Sequence, residues 1–106
     1  MGKSEKNALK SNLRILLMHL LKWQYQPNKR SNSWTYTITE HSIRIQDAFE
    51  DSPSLKSYFA DIFDSCYSSA RKLAAKETGL DINIFPINCP FTEEDVLDSD
   101  RIITSK

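Results

Sequence analysis

The stretch that decides the fold is residues 13–23, which read LRILLMHLLKW. Leu13, Leu16, Leu20 and Trp23 follow the alternating spacing of three and four residues that places side chains on one face of a helix. Between positions 15 and 21 His19 alone is polar, so apolar side chains surround the helix axis. A helix that is apolar nearly all round is usually enclosed by other elements. The stretch therefore predicts a central core helix.

Helix breakers and caps divide the rest of the chain. Pro27 ends the first helix, and Ser52-Pro53 joins a good N-cap to the residue favoured at the first helical position. Gly79 suits the left-handed conformation that follows a helix, and Thr92 begins a pattern like a capping box. The sequence predicts an all-α bundle of three long helices, about residues 4–25, 33–50 and 53–78, and a short helix, about residues 92–97. The two longest helices are expected to form an antiparallel or crossing pair, each roughly 30 Å long or more.

Residues 80–91 are apolar but are interrupted by Pro86 and Pro90, which prevent a continuous helix. We expect this segment to lie as a strap across the bundle. The side chains expected to face the bundle are Ile82, Ile84, Phe85, Ile87 and Phe91. The tail from Ser99 is expected to be irregular.

Length and composition restrict the class of protein. A chain of 106 residues with 40% apolar residues forms one domain, residues 1–106, with a real core. Its two cysteines are too few for a disulfide framework, which indicates a reducing, cytoplasmic location. The apolar run is shorter than the roughly 20 residues of a membrane span, and no secretory signal precedes it. We expect no membrane association and no cofactor.

The charges are unevenly distributed, although the formal net charge is zero. Residues 1–30 hold seven basic and one acidic side chain, a net of +6, and residues 31–106 hold a net of −6. In one interpretation, which we favour, the two parts fold together and neutralise each other. In the other, the first part offers a basic face to a polyanion, or copies of the chain associate head to tail.

A group of basic and aromatic residues surrounds the predicted turn between the first two helices. This turn cluster comprises Lys22, Trp23, Tyr25, Lys29, Arg30, Trp34 and Tyr36. Cations contact phosphates and aromatic rings stack on bases, so the cluster is a candidate nucleic-acid site. The structural alternative is that both tryptophans anchor the core. We favour that alternative, because Trp23 and Trp34 both fall on apolar helix stripes.

Three further residues form a candidate metal site. His19 and His41 lie on adjacent predicted helices and Cys66 lies on the third, and all three are residue types that ligate metals. No local spacing supplies two ligands from one helix, however, and a buried neutral histidine commonly bonds a backbone carbonyl instead. Cys66 is more typical of a small core residue than of a nucleophile.

Several segments resemble one bacterial family, called "domain of unknown function 29". They are LLMHLLKWQYQP at residues 16–27, Ser33-Trp34 with Ile38 and Glu40, EDSPSLK at residues 50–56, Ala70-Arg71 with ETGL at residues 77–80, and Phe85-Pro86 with CPFT at residues 89–92. The resemblance covers nearly the whole chain and implies an all-helical fold of a kind common in cyanobacteria. It implies no activity.

The resemblance also implies a further N-terminal part, an aromatic helix and an acidic helical stretch, before the position of Gly2. Without that cover we expect part of the first helix to expose apolar surface and to self-associate. The function predicted first is therefore a non-enzymatic protein-interaction or self-associating module. The alternatives are a nucleic-acid-associated protein that uses the turn cluster, and a metal-binding or enzymatic bundle that uses His19, His41 and Cys66.

Overall fold

The computed structural model describes residues 2–104 and confirms an all-α fold, with no strand in that range. The α-helices are α1 (Lys3–Tyr25), α2 (Asn32–Asp51), α3 (Leu55–Thr78), α4 (Glu93–Leu97) and α5 (Asp100–Ile103). Short 3-10 turns at Pro27–Lys29 and Ile82–Ile84 lie in the connections. The tail expected to be irregular from Ser99 forms α5 instead, and residues 105 and 106 lie outside the described range.

Local signals set several of the helix ends. The Ser31 hydroxyl accepts a hydrogen bond from the Trp34 N–H at 3.3 Å at the start of α2, and Thr92 forms a capping box with Asp95 at the start of α4. Gly79 ends α3 with φ of 74°, as predicted. The predicted start at Ser52-Pro53 is wrong by two residues, because residues 53 and 54 form a turn before the helix. The Ser52 hydroxyl instead donates to the Glu5 carboxylate at 3.3 Å.

The first helix is the centre of the bundle, as its composition predicts. Its leucines at positions 9, 13, 16, 17, 20 and 21 are at most 1% exposed, and the side chains of Ile15 and Met18 are half-buried. It packs against α2 and α3 along its length. The expectation that its apolar residues lack cover is wrong, because other parts of the same chain provide that cover.

The two longest helices, α1 and α3, run side by side in the same direction. Lys6 lies over the Tyr58 ring, the Cys66 thiol reaches the Lys10 carbonyl, and further along Lys22 pairs with Glu77. Residue numbers therefore rise together along both helices, which corrects the expected antiparallel or crossing pair. The reason is topological: α2 is itself a long helix and carries the chain back to the starting end before α3 begins.

The strap is hydrogen-bonded to α3. The Tyr67 hydroxyl donates to the Pro86 carbonyl at 2.5 Å, and Arg71 Nε donates to the Phe85 carbonyl at 2.9 Å. Phe85 and Phe91 are buried as predicted. The same expectation was wrong for two isoleucines, since Ile84 and Ile87 are 46% and 79% exposed. Hydrogen bonds from α3 to these backbone carbonyls hold the strap in place, and its two phenylalanines pack in the core.

The short helix α4 packs on α2. The Ser42 hydroxyl is buried and donates to the carbonyls of Val96 at 3.1 Å and Leu97 at 2.9 Å. These carbonyls lie at the end of α4, where intrahelical donors run out. Val96 itself is fully buried. One serine on α2 thus both caps α4 and fixes its position.

Candidate interaction sites

The turn cluster is packed at its centre. Lys22 is in the last turn of α1, and its side chain is only 7% exposed. Its ammonium group forms an ion pair with Glu77 of α3 and lies 4.8 Å from the ring centroid of Trp34 on α2. A buried cation needs such partners because its desolvation is costly. Lys22 therefore joins the three long helices at this end of the bundle.

A second cation in the cluster stacks on the other tryptophan. The Arg30 guanidinium carbon lies 4.4 Å from the Trp23 ring centroid, and Arg30 Nε donates to the Trp23 carbonyl at 2.9 Å. This carbonyl is near the end of α1, where backbone acceptors need outside donors. Arg30 thus covers the buried indole and caps the helix.

The remaining members of the cluster separate. The Tyr25 ring packs edge-on against Phe85 of the strap, with centroids 5.5 Å apart. Lys29 is exposed, and Tyr36 is 68% exposed on the far side of α2 from the core. The Tyr36 hydroxyl donates to the Glu40 carboxylate, and this hydrogen bond lowers the pKa of Glu40. The structure therefore brings Lys22, Trp23, Arg30 and Trp34 together and leaves Lys29 and Tyr36 apart.

The sequence analysis missed Glu77, the acidic partner of this cluster. A signal for it existed, because Lys22 lies in the apolar part of α1 and a lysine there requires an acidic partner. Glu77 stands at the C-terminal end of α3, which the expected antiparallel pairing would have placed at the opposite end of α1. The wrong helix direction therefore concealed the right partner.

The two histidines use one ring nitrogen each in the same way. Nδ1 of His19 donates to the Ile15 carbonyl at 2.9 Å, and Nδ1 of His41 donates to the Thr37 carbonyl at 2.8 Å. Burial lowers the pKa of His19 below its ordinary value, and the nearby Lys22 and His41 act in the same direction. Both histidines thus bond a backbone carbonyl of their own helix, as is common for a buried neutral histidine.

The structure does not bring Cys66 to the histidines. The Cys66 thiol donates to the Lys10 carbonyl at 3.7 Å, nine residues and therefore about 13 Å along α1 from His19. Within residues 2–104, no three histidine, cysteine, aspartate or glutamate side chains are placed to hold a metal ion. Burial raises the pKa of the Cys66 thiol and raises that of Cys89 to about 11, so both thiols are protonated at neutral pH.

The outer face of α2 combines apolar and acidic side chains at helical spacing. Its members are Tyr36, Glu40, Ile43, Asp47 and Glu50, which follow one another at intervals of four, three, four and three residues. Tyr36 and Ile43 are 68% and 49% exposed. Beside Ile43 an open cleft of about 220 Å³ separates α2 from α4 and α5. This face is an amphipathic stripe that the rest of residues 2–104 leaves largely open.

The basic stripe of α1 is the second exposed feature. It comprises Lys3, Lys6, Lys10 and Arg14, at intervals of three, four and four residues. The three lysines are exposed and Arg14 is half-buried. None of the four forms an ion pair within residues 2–104. Cations that fold with their own acids would be paired, so this stripe keeps a free positive charge.

The basic stripe and helix α2 lie on different sides of α1. On one side the basic stripe borders α3, where Lys6 lies 5.2 Å from the Tyr58 ring centroid. On the other side Ala8 and Asn12 line a cavity of about 380 Å³ together with Asp47 of α2. Residues two apart on a helix do not share a face, so Asn12 points away from Lys10 and Arg14. The basic stripe therefore faces away from α2.

Comparison with known proteins gives the family. The family model described as "Domain of unknown function DUF29" matches residues 1–102. The chain belongs to this family. No curated protein and no solved structure matches the chain.

The segments that carried the resemblance to the DUF29 family form the contacts described above. Lys22, Trp23 and Trp34 meet in the turn cluster, and Glu77 completes it. Arg71 holds Phe85 of the strap. These family motifs therefore maintain the fold. In the described part of the chain, no helix is both long and apolar enough to cross a membrane.

Proposed function

We propose that this chain is a non-enzymatic interaction module that self-associates, and that the outer face of α2 is its docking surface. The observation that carries the proposal is the exposure of Tyr36 and Ile43, one heptad apart on the same stripe. Single exposed apolar side chains are ordinary on protein surfaces. Two at helical spacing form a continuous strip that another helix can cover. Tyrosine is also among the residues that contribute most at interfaces.

A second copy of the chain is the partner that the charges favour. The outer face of α2 carries three acids, whereas residues 1–30 carry a net charge of +6. Each copy therefore contains both an acidic docking surface on α2 and an excess of positive charge in residues 1–30. Complementary charge steers association and fixes its register.

Sedimentation velocity tests this proposal. The mass of the wild-type chain should rise above 12.3 kDa as its concentration rises through the micromolar range. The double substitution Tyr36→Ser with Ile43→Ser should remain monomeric, because it removes the apolar strip and no core contact. Leu73→Ser is the matched control, since Leu73 is 43% exposed on α3 and should be replaceable without effect. A wild-type chain that stays monomeric throughout would disprove self-association.

Nucleic-acid binding is a second candidate, and the basic stripe of α1 favours it. Four cations without acidic partners on one face resemble a phosphate-contacting surface. The test is an electrophoretic shift of labelled RNA and of labelled DNA at low salt. Binding that weakens steeply with added salt and is lost in Lys3→Gln with Lys10→Gln would support this candidate. An unshifted probe at low salt would eliminate it.

A further inference from the structure

We infer that copies associate head to tail, with the basic stripe of α1 in one copy docked on the outer face of α2 in the next. This inference rests on the proposed self-association and names the surface that meets α2. It follows from the unpaired charges of the two surfaces, their lengths, and their placement on different sides of the molecule.

The first step is charge complementarity. The basic stripe holds Lys3, Lys6, Lys10 and Arg14, none of which forms an ion pair within the described chain. On α2, Asp47 and Glu50 are exposed, and within residues 2–104 neither forms an ion pair. Glu40 is already paired with Arg44. Because the basic stripe faces away from α2, these free cations and free carboxylates can meet only between copies.

The second step is the length of the two surfaces. Lys3 and Arg14 are eleven residues apart, or about 16 Å along α1, and Glu40 and Glu50 are ten residues apart, or about 15 Å along α2. The outer face extends four residues further, to Tyr36, so the basic stripe can lie along the acidic part of that face over the whole length of the stripe. Lysine side chains have long aliphatic stems, which can cover Tyr36 and Ile43 while their ammonium groups reach the flanking carboxylates.

The third step is the placement of the surfaces. The basic stripe borders α3, whereas α2 lies on another side of α1. A contact between two different surfaces leaves one of each free at the two ends of a dimer. Further copies can add at both ends, so this contact generates an open chain or a ring of copies instead of a two-fold dimer.

Charge reversal tests the inference. In one variant Lys3→Glu and Lys10→Glu reverse the basic stripe, and in the other Asp47→Lys and Glu50→Lys reverse the outer face of α2. None of these four side chains is buried, so circular dichroism should show unchanged helix content in both variants. Each variant then carries two surfaces of like charge. We expect each alone to associate at least about tenfold more weakly than wild type.

An equimolar mixture of the two variants is the decisive sample. Each copy supplies the surface that the other lacks, so association should return to near the wild-type level. The wild-type mass should continue to rise beyond that of a dimer with concentration, and added salt should reduce it. Restoration in the mixture cannot come from misfolding or from a contaminating polyanion.

Other results would overturn the inference in distinct ways. If wild type associates and both reversed variants associate equally well, self-association stands and the head-to-tail contact is wrong. If wild type stops at a dimer of constant mass, the contact is a two-fold one. If wild type is monomeric and binds RNA or DNA through the basic stripe, the stripe serves a nucleic acid and both proposals fail.

Discussion

Helix α1 is continuous, but its cations have different surroundings in its N-terminal part, residues 3–14, and in its C-terminal part, residues 15–25. Lys10 in the first part is exposed and unpaired. Lys22 in the second part is buried, paired with Glu77 and placed over the Trp34 ring. Both parts carry a net positive charge in the sequence, so the sign of their charge does not distinguish them.

The difference teaches how to separate cations that maintain a fold from cations that remain for recognition. Around Lys22 three long helices meet, and the cost of desolvating its charge is offset by a carboxylate and an aromatic ring. Around Lys10 the neighbouring helix is α3, and the lysine side chain is exposed to solvent. A free cation in folded protein is available to a partner, whereas a paired one is not.

The largest expected effect concerns the buried leucines of α1. Leu17→Ala should lower the free energy of unfolding by about 2–5 kcal/mol, because it leaves a cavity at a position that is 0% exposed. Asn7→Ala, an exposed position in the N-terminal part, should change it by less than about 0.5 kcal/mol. Urea unfolding followed by circular dichroism measures both. Similar losses at the two positions would show that the exposed side of the N-terminal part also contributes to packing.

The second effect concerns the two lysines themselves. Lys22→Ala should cost about 1–2 kcal/mol, through loss of its contacts with Trp34 and Glu77. The cost stays moderate because Glu77 is half-exposed and remains solvated when its partner is removed. Lys10→Ala should lie within about 0.5 kcal/mol of wild type. The comparison between the two parts of α1 fails if Lys10→Ala destabilises the chain as much as Lys22→Ala.

Much of this fold could be predicted from the sequence. The apolar periodicity of α1 and the breakers at Pro27 and Gly79 gave the helices and their order, because those signals act locally. The relative direction of α1 and α3 was mispredicted, because their apolar surfaces can pack together in either orientation. The exposure of Ile84 and Ile87 was also missed. Which side of an irregular segment faces the core depends on long-range hydrogen bonds such as that of Arg71, which no local pattern encodes.

The candidate sites were less predictable. The seven residues of the turn cluster were found from composition and position, but Glu77 was not, because its contact with Lys22 spans 55 residues. Of the outer face of α2, only Tyr36 was identified as a candidate site residue from the sequence. Ile43 and the acids between them became recognisable as a stripe once the buried side of α2 was known. Exposure is a property of the packed bundle, and the sequence constrains it only through periodicity.

The third effect separates two neighbouring cations in the turn. Arg30→Ala should cost about 1 kcal/mol, because it removes a hydrogen bond to the Trp23 carbonyl and a cation stacked on the Trp23 ring. Lys29→Ala, next to it and exposed, should be neutral within about 0.5 kcal/mol. Tryptophan fluorescence during urea unfolding reports both. Equal stability of the two variants would mean that Arg30, like Lys10, is a cation without a structural role.

The smallest effect is the pH dependence contributed by His19, on the buried side of the comparison. Burial lowers its pKa in the folded chain below the ordinary value of 6.5. As the pH falls below about 6.5, the unfolded chain takes up a proton at His19 before the folded chain does, so stability falls from that pH down to the lowered pKa.

His19→Gln removes this proton and should therefore make stability less dependent on pH. Thermal unfolding at pH 7.5 and pH 5.5 should show a smaller loss of stability for the variant than for wild type, even if the variant is less stable at both. The difference between the two losses isolates His19, because every other titrating group is present in both chains. Equal losses would mean that the His19 ring is as accessible to water as the lysines of the N-terminal part, although Leu20 and Leu21 beside it are buried.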